Sequence, residues 1–204
     1  MVLSLAVAGS AFGMDSKNDQ RSETSEQFLK DTERGKVVLT YLRCTDFDCV
    51  GALNDVVELG PDVVPALINL LKNQVPQMIA PDLPKDKLAP MVRTRVVNAL
   101  GKLRDERAVE VLLKAVNDKL PQIRAAVTEA LGEIGNDRTL AALVLRLEDR
   151  DPFVRETAAK ALGRLQRWET LGALQIAWKK ESVPHVRQAM EAAIKLAQQR
   201  HPGP

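Results

Sequence analysis

Four arginines stand at a nearly fixed step. Arg93, Arg124, Arg155 and Arg187 follow one another at intervals of 31, 31 and 32 residues. Three of them have an acid six residues upstream: Asp118, Asp149 and Glu181. Arg93 has Lys87 there instead. A guanidinium carries five donors in a rigid fork and calls for carboxylate or carbonyl acceptors, or for an external anion. The spacing predicts that such pairs form a structural ladder of Arg93, Asp118, Arg124, Asp149, Arg155, Glu181 and Arg187 along the loops joining successive units, with each guanidinium satisfied by a carboxylate or a helix-end carbonyl. External anion binding is the competing reading, and Lys87 makes the Arg93 end its favoured place.

Cys44 and Cys49 are the only cysteines, five residues apart across Thr45–Asp48. A disulfide there pins a helix–helix junction if the protein folds in an oxidising compartment. Two unrelated thiols, or redox or metal chemistry, are the other readings. Redox pairs usually sit closer, as Cys-x-x-Cys. His185 and His201 do not complete a tetrahedral zinc pattern with these cysteines. No dinucleotide, Walker or nucleophile-elbow motif occurs. No metal, cofactor or catalytic residue is therefore expected.

The elements that position these residues are helices. Ala-Leu-Gly recurs at 99–101, 130–132 and 161–163, and Pro121, Pro152 and Pro184 each precede an arginine by three residues, as Pro90 precedes Arg93. Several marks on one period signal a repeat architecture. Within one period, Ile123, Val127, Leu131 and Ile134 make one helical stripe, and Pro121 suits the first turn. Gly135-Asn136-Asp137 ends that helix. A second helix follows from about Arg138 to Leu147, with Leu140, Leu143, Val144 and Leu147 on one face. Gly132 costs about 1 kcal/mol against Ala inside a helix. Its recurrence at Gly101 and Gly163 predicts that a neighbouring helix passes close.

These residues resemble a known family. Pro-x-Val-Arg-x-x-Ala-x-x-Ala-Leu-Gly-x-Leu on a roughly 31-residue step is similar to the short HEAT-like repeats of the phycobilisome-lyase type. The resemblance is tightest over residues 90–200 and looser over 46–73, where the Val-Arg pair is missing. It implies an all-α fold, an α-solenoid of stacked antiparallel hairpins that acts as a scaffold for other macromolecules. One hairpin cannot bury its own apolar face, and stacking joins the faces into one core. Some relatives are enzymes. HEAT-like di-iron hydroxylases use repeated His-Glu pairs, which this chain does not have, and no catalytic residue of the chromophore lyases can be placed here.

Composition agrees. Hydrophobic residues make up 45% of the 204, enough for a core, while aromatics are only 3%, thin for a β-sandwich or barrel. The net charge is +2, with 9 cations against 13 acids before residue 91 and 20 against 14 from there on. The basic residues alternate with acids, so a phosphate-tracking stripe is not expected. No stretch is long and apolar enough for a membrane span. Nucleic acid is the weaker binding hypothesis, and a lyase-like accessory enzyme the alternative by fold analogy.

Residues 1–13 are apolar and uncharged, like the later part of a signal peptide whose basic start is missing. The favoured reading is export to the periplasm or beyond, and the rival is a cytoplasmic protein starting at Met14. Residues 14–25 form a polar linker, 26–200 the repeat domain and 201–204 a tail. A helix over 26–43, with Gly35 as its weak point, precedes the first hairpin. A Pro-rich insert at 74–90 interrupts the period and is expected not to be a long helix. The helix from Pro184 to Gln199 caps the stack, with Val186, Met190, Ile194 and Leu196 on its apolar side.

The second helices are expected to line the concave surface and bind a protein or peptide. The candidate surface comprises Asn69, Lys72, Asn73, Glu110, Lys114 and Asn117, then Leu145, Glu148, Gln175 and Lys179. Met78, Ile79 and Leu83 of the insert either fold onto the core or meet the ligand. Trp178 aligns with the core positions Val116 and Leu147. Trp168 falls at a turn, either folded against Arg167 or exposed as an anchor.

Overall fold

The computed structural model describes residues 27–44, 49–72 and 85–200. Every regular element among them is helical: α1 (Glu33–Arg43), α2 (Cys49–Glu58), α3 (Val64–Lys72), α4 (Lys85–Leu103), α5 (Val109–Ala115), α6 (Pro121–Ile134), α7 (Asp137–Arg146), α8 (Pro152–Leu165), α9 (Leu171–Lys180) and α10 (Pro184–Arg200). A helical stretch at 27–31 precedes α1. The segments 1–13 and 14–25, the insert residues Asn73, Met78, Ile79 and Leu83, and the tail 201–204 lie outside the described residues.

The repeat unit is the pair expected. Pro121 and Pro152 occupy the first turns of α6 and α8, where a missing N–H costs nothing. Each long helix then turns out through a left-handed residue at one repeat position: Arg104 (φ 53°), Gly135 (φ 67°) and Gln166 (φ 51°). Glycine adopts that conformation without strain, so the repeat tolerates the cost at two of three places. The stripe Ile123, Val127 and Leu131 is completely buried, and so are Leu100, Leu112, Leu143, Leu162 and Leu174. Each such side chain contributes roughly 1.5–3 kcal/mol. Together they form one continuous core along the stack.

The first helices α4, α6, α8 and α10 lie directly against one another, whereas α5, α7 and α9 meet one another sparsely. The glycines explain the difference. A Cβ on Gly101 would lie 2.7 Å from the Ala130 Cα, and one on Gly132 would lie 2.6 Å from the Ala161 Cβ. A Cβ on Gly163 would lie 3.1 Å from the Ala193 Cα. The first helices are therefore the tight layer of the stack and the second helices the open one.

Three expectations change. The helix expected over 26–43 breaks at Thr32, not at Gly35. The Thr32 hydroxyl accepts from the Gly35 N–H and caps α1. Gly35 is buried where residues 28–29 cross it, since a Cβ there would lie 2.6 Å from the Leu29 Cα. The insert does not run to Pro90, because α4 starts at Lys85 and carries Pro90 inside it. Leu196 does not join the buried side of α10: Val186, Met190, Ala193 and Ala197 do, while Leu196 is partly exposed beside Gly163.

The N-terminal junction is fastened covalently and by one arginine. Cys44 and Cys49 form a disulfide with Cα atoms 5.6 Å apart. Arg95 on α4 donates to the Leu42 carbonyl at 2.7 Å and reaches the Cys49 Sγ at 3.9 Å. The Tyr41 hydroxyl donates to the Arg95 carbonyl at 3.2 Å. Burial pushes the Tyr41 phenol up to about 12, although the Arg95 charge pulls the other way.

Candidate functional site

The arginines join units rather than closing within them. Arg124 donates from Nε and Nη2 to the two oxygens of Asp149, at 2.9 and 2.7 Å. Arg155 grips Glu181 in the same forked way, at 2.6 and 3.0 Å. Arg93 pairs with Asp118 at 2.7 Å. Each arginine therefore takes the acid of the following junction, 25 or 26 residues on. The position six residues upstream contributes its backbone instead: Arg124 Nη1 donates to the Asp118 carbonyl at 3.0 Å, and Arg155 Nη1 to the Asp149 carbonyl at 2.9 Å. This corrects the pairing read from spacing. It also gives Arg93 a carboxylate, so that arginine is not left over for an external anion. Arg187 lies over the Trp178 ring, 4.3 Å from its centroid.

Each acid also shapes its own turn. Asp118 accepts from the Leu120 N–H and Asp149 from the Asp151 N–H, both at 2.9 Å, and Glu181 accepts from the Val183 N–H at 2.9 Å. Asp149 receives Arg146 as well, at 3.2 Å. Burial pushes the Asp149 carboxyl up. Hydrogen bonds from Arg124 and the Asp151 N–H, with the charges of Arg124 and Arg146, outweigh burial and hold it below the usual carboxylate range. The Glu181 carboxyl is also held low, first by the Arg155 hydrogen bond, against burial. The Arg124 and Asp149 side chains are each only 4% exposed. The ladder is thus an internal fastening that fixes the angle between units.

Among the described residues, the surface that this fastening holds in shape carries two grooves on the first-helix side. One lies between α8 and α10, about 450 Å³, lined by Glu156, Ala159, Lys160, Gly163, Arg164, His185, Gln188, Ala189, Ala192, Ala193 and Leu196. The other, about 110 Å³, is lined by Leu53, Asn98, Gly101, Lys102, Glu129, Ala130 and Glu133. Both have glycine and alanine floors, because the contact that lets the helices touch also leaves space above them. None of the candidate binding residues that are described lines either groove. The sequence signal that belongs to them is the recurring Ala-Leu-Gly, which reads only as a close helix approach.

The candidate residues on the second-helix face spread over the opposite surface. Glu110 and Lys114 pair at 2.7 Å, and Glu148 pairs with Lys180 at 3.1 Å. Lys72, Asn117, Gln175 and Lys179 are exposed, and Asn69 is half-buried. Leu145 is 66% exposed, with Ile176, one repeat on, also exposed. Trp168 is 61% exposed, and Arg167 pairs with Asp137 and Glu169. Trp178 is partly buried against the core. Among the described residues no three His, Cys, Asp or Glu side chains converge as a metal site, and no helix is long and apolar enough to cross a membrane.

A family model described as HEAT repeats matches residues 85–153 and 115–195. A comparison with curated proteins returned no match. Among solved structures the chain is similar to human deoxyhypusine hydroxylase in complex with glycerol, at 17% identity over 90% of this chain and 86% of that one, with a TM-score of 0.47. It is similar also to an engineered protein, at 15% identity over 89% of this chain and 97% of that one, with a TM-score of 0.45.

Proposed function

The chain belongs to the HEAT-repeat family, and from that premise we propose that it is a non-enzymatic scaffold binding a protein or peptide along the face of α4, α6, α8 and α10. The observation that carries this is the pair of grooves on that one face, above the glycine–alanine contacts between first helices. A buried ladder holds such a surface in shape before the partner arrives, which spares ordering cost on binding. The second-helix cations Lys114 and Lys180 are engaged by Glu110 and Glu148, and Arg146 by Asp149, which weakens any phosphate-tracking reading. The Cys44–Cys49 disulfide supports a periplasmic or secreted location.

The test is site-specific photo-crosslinking in cells of the source organism. One set of variants carries the crosslinker at Asn98, Lys160 or Gln188, the other at Lys114, Leu145 or Gln175. A discrete crosslinked partner from the first set alone is the expected result. Crosslinks from the second set alone overturn the choice of face, and none from either set overturns the scaffold reading.

A further inference from the structure

We propose that the Cys44–Cys49 bridge is a polarised thiol–disulfide exchange site, at which a dithiol attacks Cys44 and Cys49 departs as a thiolate held by Arg95. The proposal does not depend on which face of the stack binds a partner.

The two sulfurs belong to opposite kinds of helix end. Cys44 caps the C-terminus of α1, and its N–H donates to the Tyr41 carbonyl. Cys49 is the first residue of α2. The partial charges at a helix start favour a thiolate, and those at a helix end disfavour one. Arg95 adds to the same bias. Its Nη2 lies 3.9 Å from the Cys49 Sγ, while Nη1 donates to the Leu42 carbonyl at 2.7 Å. Among the described residues no carboxylate pairs with this guanidinium. Burial pulls it below its ordinary value, against the neighbouring Tyr41, whose own burial keeps the phenol neutral up to about pH 12. The anion that would satisfy Arg95 is the one that opening the bridge creates. Arg43, beside Cys44 in the chain, is exposed, where salt and water weaken its charge. The spacing is wider than in Cys-x-x-Cys pairs, so the surroundings mark the site and not the motif.

Both cysteines are half-buried, open enough for a reagent. One thiolate of the dithiol forms a bond to the Cys44 Sγ, the bridge breaks, and its electron pair leaves on Cys49. The second thiol of the reagent loses its proton, attacks the reagent sulfur bonded to Cys44 and releases that cysteine. The dithiol is oxidised by two electrons to a disulfide, and the bridge is reduced by two to a Cys44 thiol and a Cys49 thiolate. Of the dithiol's two protons, one ends on Cys44 and one in water. The bond from Arg95 to the Leu42 carbonyl does not involve the bridge, so the reduced chain keeps α1 on α4.

The test reads each thiol alone. Cys44→Ser and Cys49→Ser leave one thiol each in the full chain, and the pH dependence of their alkylation by iodoacetamide gives the two pKa values. Cys49 is expected at least about one unit below the ordinary value of about 8.5, and Cys44 at or above it. Arg95→Gln should return Cys49 to the ordinary value and Arg95→Lys should keep most of the shift, whereas a merely structural arginine would move neither. In the oxidised wild type, glutathione added briefly and quenched with acid should be found on Cys44 by mass spectrometry. Dithiothreitol at neutral pH should reduce Arg95→Gln at least about threefold more slowly than the wild type, because a more basic thiolate leaves more slowly. Matching pH profiles for the two thiols, or glutathione on Cys49, overturn the proposal, and so does a Cys49 profile indifferent to Arg95→Gln. If circular dichroism shows that Arg95→Gln has lost its helices, the comparison of the two thiols and the position of glutathione decide the matter on their own.

Discussion

Replacing Asp149 by Asn tests whether the ladder holds the stack together. The side chain keeps its shape but loses its charge, and one of its two acceptor atoms becomes a donor. Oδ1 accepts from Arg124 and the Asp151 N–H, and Oδ2 from Arg124 and Arg146. Either orientation of the amide therefore sets donor against donor. Arg124 stays buried with only the Asp118 and Lys119 carbonyls. Removing one partner of a buried pair costs about 3–5 kcal/mol, and the surviving carbonyls place this case near 3. For a chain of this length that is a fall in Tm of about 6–12 °C. Glu181→Gln should cost less, because Arg155 is less buried, and Asp118→Asn about 1 kcal/mol, because Arg93 is about a third exposed. Equilibrium urea unfolding followed by circular dichroism measures all three. Because Asp149 joins two units, its loss should also broaden the transition or split it. An Asp149→Asn cost below about 1 kcal/mol, no larger than that of Glu110→Gln on the surface, would refute the reasoning.

Gly132→Ala should destabilise by about 2 kcal/mol, an overpacking cost of about 3 less about 1 regained in helix propensity, and Ala161→Gly should recover most of it in a double-mutant melt. In acid, Asp149 and Glu181 should cost stability: their carboxyls are held low in the fold, so their contribution is full above about pH 4 and is lost as pH falls through the folded values. A pH series of melts checks this, and Asp149→Asn should flatten it. Cys44→Ser with Cys49→Ser should lower stability by about 2 kcal/mol, read in the same urea assay. Tyr41 is the only tyrosine, so the phenolate absorbance of the folded chain should appear near pH 12 rather than 10 and move back on unfolding.

The repeat was legible because its marks are local. Ile123, Val127 and Leu131 announce a helix face, and Pro121 and Gly135 announce its ends. The ladder's members were legible too, but their partners were not. Spacing along the chain shows what lies six residues away, and it does not show that the acid of the next junction folds back over the arginine. Pro90 misled because it matched Pro121 and Pro152 in register while α4 had already begun at Lys85. The tight layer was half legible: Gly101, Gly132 and Gly163 all sit on first helices, and only their contacts with alanines show that this layer is the tight one.

The offset between chain and bonding at the junctions makes the length of this protein an editable quantity. Asp118 and Asp149 each belong to one unit by covalent order and to the preceding one by their arginine. Cutting out 31 residues between matching points would hand Arg93 to Asp149 and re-form an equivalent seam, and copying in the same number would add one. A cut or copy that is not a whole unit leaves an arginine facing the wrong acceptor, whereas the 26-residue reach of Arg155 to Glu181 shows that a one-residue difference within a unit is absorbed. Gain and loss of whole modules is thus the cheap kind of change here.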